Sequence, residues 1–317
     1  MFPQSDISQW TVTSSIYWME DFKFWLREHG RVEKTVSAYM QDLRHFSDFF
    51  HRENASSFSP DQLNATDVRA YFAGQDADKS IAPASRNRRL ASLRVLVHWA
   101  VDAGLLEYDP TISIKRQPVE PSPRDRSGGE MTRLNAAISS GSHLKCKSEN
   151  HIWLGLRDRA IWILFNSAGL RISEVVGLDV SDLDFSEHKI NVLGKGAKKA
   201  PVKMSADAMN EIADWLKMRS VISDAVITDW HGKRITTGQA RVRVKMIGAV
   251  AEVHDLKPHD LRHTYAYSLD DALKSQGVPE GTRRNAIRQQ MRHADMKTTD
   301  LYFGVRDSQI RAALEVM

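Results

Sequence analysis

Residues 258–271 read PHDLRHTYAYSLDD, and they set His259, Arg262 and His263 in the first turn of a helix that Pro258 can open. The positive end of the helix dipole already points there. Backbone N–H groups, dipole and cations converging at one point form a place for an anion such as a phosphate. Solvated surface charge is the ordinary alternative, and the rest of the sequence has to decide between them.

Outward from this helix, the second half of the chain alternates helical patterns with one short strand pair. NHIWLGLRDRAIWILFNSAG (150–169) is a strongly apolar helix closed by Gly169, and RISEVVGL resumes helix after it. HKINVLGKGAKKAPVKM (188–204) reads as two strands around a Gly-Lys-Gly turn. Further helices are expected at about 205–219, 238–253, 259–275, 281–292 and 307–316.

The first half reads as all helical. Tyr17, Trp18, Phe22, Trp25 and Leu26 recur at helical spacing before Gly30, and a second amphipathic pattern runs from about Glu33 to Arg52. NATDVRAYF (64–72) opens a third helix capped by Asn64 or Thr66, and a fourth starts at Pro83 and ends at Gly104. The fourth carries RNRRLASLR (86–94), in which Arg86, Arg89 and Arg94 offer a cationic face for a nucleic-acid backbone. From Asp109 through Arg133, four prolines, the pair Gly128-Gly129 and five basic residues leave no apolar period, so a basic linker is expected, with Lys115 and Arg116 as further phosphate contacts.

Composition sets the limits. A chain of 317 residues, 42% hydrophobic and 26% charged, is of globular type and long enough for two domains. Its net charge of +4 is too small to argue for nucleic acid by itself. The lone cysteine, Cys146, excludes an intrachain disulfide and any cysteine-rich zinc pattern. The N-terminus carries no signal-peptide pattern and no run reaches membrane-spanning length, so a cytoplasmic protein without membrane association is expected. No His-Glu-x-x-His, P-loop or Gly-x-Ser-x-Gly motif is found, so neither a metal nor a nucleotide cofactor is implied.

What remains is a scattered cationic set: Arg171 in AGLRISE, Lys195 in GKGAKK, His259 and Arg262 in PHDLRH, His293 in MRHAD, and Tyr302 in TTDLYFG. Singly, each has an ordinary structural role. Arg171 can pair with Glu174, Lys195 can be exposed at a hairpin tip where Lys198 or Lys199 fits as well, and Tyr302 can be the edge of a core. Jointly, in order, wording and spacing, the set resembles the tyrosine recombinases, or phage integrase family, of the simple two-domain Xer-like type. SRNRRLASLRVLVHWA (85–100) in a four-helix domain resembles that family's core-binding domain.

The resemblance implies a mainly α chain with a small antiparallel sheet: a helical DNA core-binding domain over 1–110, a basic interdomain linker over 111–130, and an α+β catalytic domain over 131–317 ending in a short C-terminal helix. It implies a site-specific recombinase that cuts and rejoins double-stranded DNA through a 3′-phosphotyrosyl intermediate, without metal or ATP. Two guanidinium groups, Arg171 and Arg262, would stabilise the non-bridging oxygens. Tyr302 would be the nucleophile, Lys195 the donor to the departing 5′-oxygen, His259 an acid or base, and His293 a hydrogen-bond partner of the phosphate. Self-association to a synaptic tetramer is expected, through the apolar strip Ile310, Ala313, Leu314 and Met317. A type IB topoisomerase shares this chemistry, and a catalytically silent DNA-binding regulator would keep only the binding surface.

One departure stands out. Where the family usually shows Leu-Gly-His, this chain has Met291-Arg292-His293, so Arg292 is expected to make a contact of its own, as an additional phosphate ligand.

Overall fold

The computed structural model describes residues 18–119, 125–144, 150–194, 199–219, 223–292, 299, 302 and 303. The chain divides into two compact units, Met1–Glu120 and Pro121–Met317.

In the first unit, four helices are described: α1 (Trp18–Glu28), α2 (Glu33–Asn54), α3 (Ala65–Ala77) and α4 (Pro83–Asp102). Their apolar stripes meet in one core built from Trp18, Phe22, Leu26, Met40, Phe46, Phe72, Leu93 and Leu96. Asn64 caps α3, its side chain accepting from the N–H groups of Thr66 and Asp67 at 3.0 Å each. Gly104 follows α4 with φ 71°, the left-handed turn that a helix end favours.

Residues 111–119 are tied to α4. Ile114 is buried in the first unit's core, Arg94 donates to its carbonyl at 2.8 Å, and Asn87 exchanges two hydrogen bonds with the backbone of Gln117.

The second unit surrounds α6 (Asn150–Asn166), in which Ala160 through Phe165 are all buried. A helix apolar on every side belongs inside a bundle. α6 packs against α5 (Gly128–Ser140), α7 (Ile172–Gly177), α8 (Ala206–Met218), α9 (Thr237–Val250) and α10 (Pro258–Ser275). Its fully buried Asp158 is neutralised by Arg157 at 2.9 Å and by Nε of Arg243 on α9 at 2.8 Å, with His143 at 3.1 Å.

α5 lies partly inside the stretch expected as linker. Ser127 and Glu130 form a capping box that starts the helix at Gly128. Arg126, just before it, is buried among Glu130, Asp255 and Asp260.

The sheet has three antiparallel strands, β1 (Leu183–Asp184), β2 (Lys189–Leu193) and β3 (Lys199–Lys203), in that order. Ile190 pairs with Val202, and these two with Val192 point into the core, the alternation expected of a half-buried hairpin. β1 is an addition to the two strands read from sequence. α11 (Glu280–Met291) packs on α10 and on β3. The expected C-terminal helix at 307–316 lies outside the described residues. No described helix is long and apolar enough to cross a membrane.

Candidate active site

The site is assembled at the junction of α6, α7, α10 and α11. Gly169 ends α6 with φ 59°, and a 6→1 bond from the Leu170 N–H to the Leu164 carbonyl at 3.1 Å closes the turn. Tyr265 of α10 lies where a side chain would be: a Cβ on Gly169 would sit 2.4 Å from its Cδ1. This glycine therefore permits both the left-handed turn and the close approach of α10.

Arg171 and Glu174 follow immediately. The Glu174 carboxylate accepts from the Arg171 N–H at 2.6 Å and from its guanidinium at 2.9 Å, capping α7 and holding the half-exposed arginine head. The pairing expected of Arg171 taken alone is thus present, alongside its place in the cluster.

On α10, Arg262 is 1% exposed. It donates to the carbonyls of Gly169 and Met291, which fixes the plane of its guanidinium, and its Nη1 stands 3.9 Å from Glu174. Burial, then the neighbouring Arg171 charge, lower it to about 10, which leaves it cationic at neutral pH. The helix start that holds it is anchored by Asp260, which accepts from the Lys257 N–H at 3.0 Å and pairs with Arg126. Arg126 also pairs with Asp255 at 2.8 Å, and its N–H donates to the Thr264 hydroxyl at 3.0 Å.

His259 stays solvent-accessible while the protein around its ring and, secondarily, the charge of Arg262 push its imidazole below the ordinary value. Its ring meets His263 at 4.2 Å, and His263 meets Tyr302 at 5.5 Å. Tyr302 is 2% exposed, in edge-to-face contact with Tyr267 at 5.2 Å and clustered with Ala266, Ile287 and Met291. Burial raises its phenol, and the charges of Arg262 and Arg171 oppose that rise.

Arg292 ends α11 in the left-handed region, φ 53°. The preference for glycine at this place has its explanation there, and the side chain pairs with Glu174 at 2.6 Å. The structure thus brings Arg171, His259, Arg262, Arg292 and Tyr302 together. Lys195 and His293 lie outside the described residues. Lys199, the rival to Lys195, pairs with Asp182.

The cationic face expected on α4 is corrected at Arg86. Arg86 is buried, paired with Asp76 at 2.5 Å and donating to the Lys115 carbonyl at 2.8 Å. Arg89 donates to Gln75 at 3.1 Å and Arg94 to the Ile114 carbonyl. These guanidinium groups hold α4 to its neighbours, whereas Lys115 and Arg116 are exposed.

Three contributors escaped the sequence. Glu174 was legible only as a partner for Arg171. Gln290 accepts from the Lys203 N–H at 3.3 Å and donates to the Lys203 carbonyl at 2.7 Å and the Tyr265 hydroxyl at 2.9 Å, stitching β3 to α10 and α11. Arg126 was read as linker charge, and the Ser-x-x-Glu box beside it was the available signal.

Residues 138–309 match the phage integrase family model, and residues 20–104 match the phage integrase N-terminal SAM-like domain. The chain belongs to the phage integrase family. Tyrosine recombinase XerC of Mycobacterium tuberculosis (strain ATCC 25177 / H37Ra) is 30% identical over 293 residues, 90% of this chain and 93% of its own length. Tyrosine recombinase XerC of Pseudomonas fluorescens is 29% identical over 291 residues, covering 87% and 88%. Among solved structures, XerH bound to a palindromic difH substrate superposes with a TM-score of 0.69 at 15% identity, over 94% of each chain. A lambda integrase dimer bound to a COC′ core site gives 0.65 at 14% identity, over 92% of this chain and 77% of that one. As a tyrosine recombinase, this phage integrase family member is a site-specific DNA breaking-and-rejoining enzyme with DNA as its partner. The topoisomerase alternative gives way to that relationship.

Proposed function

We propose that Tyr302 is the nucleophile of a strand-exchange reaction whose scissile phosphate is held by Arg171 and Arg262. The observation that supports this best is the convergence of distant segments: Arg171, at the start of α7, and Arg262, on α10, both face Glu174, and Arg262 donates to the carbonyl of Met291, the residue against which Tyr302 packs. Arg262 uses two of its five N–H donors on backbone carbonyls, which leaves a fixed fork for the non-bridging oxygens.

In the proposed step, Oη of Tyr302 attacks phosphorus, the P–O5′ bond breaks, and a 3′-phosphotyrosine forms. The phenolic proton passes to His259, whose lowered imidazole is neutral at pH 7 and free to accept it. Lys195 delivers a proton to the departing 5′-oxygen, and His293 hydrogen-bonds the phosphate. A 5′-hydroxyl of a second duplex then attacks the phosphotyrosine and restores the phenol. One phosphodiester is exchanged for another, so no ATP is consumed. Tyr302 and Arg262 are both covered in the DNA-free chain, so this reading requires Tyr302 to leave its aromatic pocket when DNA binds.

Lys115 and Arg116, exposed in the segment that follows α4, are proposed to contact the DNA backbone. Assembly to a synaptic tetramer, through residues 307–316, and a cytoplasmic location complete the reading. Deleting the residues after Arg306 should leave single-protomer DNA binding intact and abolish cooperative occupancy. The test of the reaction itself is strand joining: protein pre-cleaved on one labelled duplex should transfer the label to a second duplex that carries a free 5′-hydroxyl. Relaxation of plasmid with no transfer between duplexes would contradict it.

A further inference from the structure

Arg292 occupies a position whose backbone favours glycine, so its side chain has to contribute what a glycine would not. The side chain is 7% exposed. Its Nη2 donates to Oε2 of Glu174 at 2.6 Å and its Nη1 to the Gln290 carbonyl at 3.1 Å, while Nε finds no acceptor among the described residues. Glu174 simultaneously holds Arg171 at 2.9 Å and stands 3.9 Å from Arg262. Three guanidinium groups thus surround one carboxylate, leaving a net charge of about +2, and in such a cluster each change of partner alters the others.

If Arg171 turns its guanidinium from Glu174 to a phosphate, the carboxylate loses one of its partners. Without a cation held close to it, a largely buried carboxylate would then face an incoming phosphate, a costly arrangement in a medium of low dielectric. We infer that Arg292 is a positioning residue of the phosphate site: it keeps Glu174 neutralised, which frees Arg171 to exchange that carboxylate for the DNA phosphate. The inference rests on the reading of Arg171 and Arg262 as the phosphate clamp. Burial and Arg171 both weaken the proton affinity of Arg292, and Glu174 sustains it, consistent with a cation held there by this partner.

The test is single-turnover cleavage of a nicked suicide duplex carrying the sequence this protein selects from a randomised pool. Wild type, Arg292→Gly, Arg292→Lys, Glu174→Gln, the Arg292→Gly/Glu174→Gln double variant and Tyr302→Phe are compared. Arg292→Gly is expected to cleave about tenfold or more slowly with DNA affinity within about twofold, since coupled charges in one network differ by interaction energies of this size. Its fold should be retained, because Arg171 and Arg262 still face Glu174 in the DNA-free chain and glycine suits the left-handed backbone. Glu174→Gln should recover part of that loss in the double variant, because a neutral amide needs no balancing cation, and Arg292→Lys should retain more activity than the glycine. Wild-type cleavage by Arg292→Gly, or a double variant slower than Arg292→Gly, overturns the inference and leaves the recombinase reading standing. An adduct that persists in Tyr302→Phe, or a wild type that forms none on its selected site, overturns that reading and this inference with it.

Discussion

The guanidinium of Arg262 donates to the carbonyl of Gly169, 93 residues earlier in the chain, so the end of α6 and the start of α10 are locked at the point where the site forms. Gly169→Ala would impose both a left-handed alanine and a Cβ 2.4 Å from Tyr265. The expected cost is about 2–4 kcal/mol, from the conformational penalty plus displacement of a packed ring. Urea unfolding of the full chain measures it, and a loss well below 1 kcal/mol would mean that the α6 end yields more readily than described.

Arg86 and Arg116 should separate cleanly. Arg116→Ala is expected to lower the salt slope of DNA binding by about one unit without affecting stability, as for the loss of one phosphate contact. Arg86→Ala should leave that slope unchanged and reduce amide protection in α4 by about 2 kcal/mol, through loss of a charge-assisted pair whose partner Asp76 is half exposed. The check is a salt titration paired with hydrogen exchange. A slope change in Arg86→Ala would return that residue to the DNA surface.

The contrast shows how far the sequence could be read. Helix starts at Pro83 and Asn64 and the stop at Gly104 were visible because backbone chemistry at helix ends is local. The cationic order Arg171, His259, Arg262 and Tyr302 was visible because family wording carries it. What stayed hidden depends on distant partners. Whether Arg86 faces DNA or Asp76 is decided by a contact with α3, and a charge run looks the same in both cases. Arg126 resembled linker charge because the acids that bury it, Asp255 and Asp260, lie about 130 residues on. Gln290 carries no charge or motif at all, and only the register of β3 against α11 reveals it. α5 was masked by Gly128-Gly129, which suggest a loop unless the Ser127–Glu130 box is given precedence.

His259 gives a pH dependence with a defined sign. Its folded-state value is lowered, so above the ordinary imidazole value both states are neutral and the group contributes nothing. As pH falls through that value, the unfolded chain takes up a proton that the native site resists, and stability is lost. Wild type should therefore lose more stability than His259→Gln between about pH 7 and pH 5 in urea unfolding, since an unperturbed imidazole titrates near 6.5. A gap between the two proteins that is constant with pH would contradict the lowered imidazole of His259.

Gln290 holds β3, the strand that follows Lys195 in the chain, to α10 and α11. Gln290→Ala and Lys195→Ala should both slow cleavage with little change in DNA affinity. Sulfur in place of the bridging 5′-oxygen gives a leaving group that needs no proton, and it should restore both variants. It should not restore Arg262→Ala, whose expected loss of roughly 3–4 kcal/mol arises at the non-bridging oxygens. Equal rescue of all three would remove the distinction between proton donor and clamp.

The account depends most on Tyr302, a buried phenol under the influence of two guanidinium charges. Covalent protein trapped on a nicked suicide duplex, digested and mapped by mass spectrometry, tests it directly. The account predicts a single nucleotide-bearing peptide with the 3′-phosphate on Tyr302, absent from Tyr302→Phe. An adduct on any other residue, or one that survives the substitution, would contradict it.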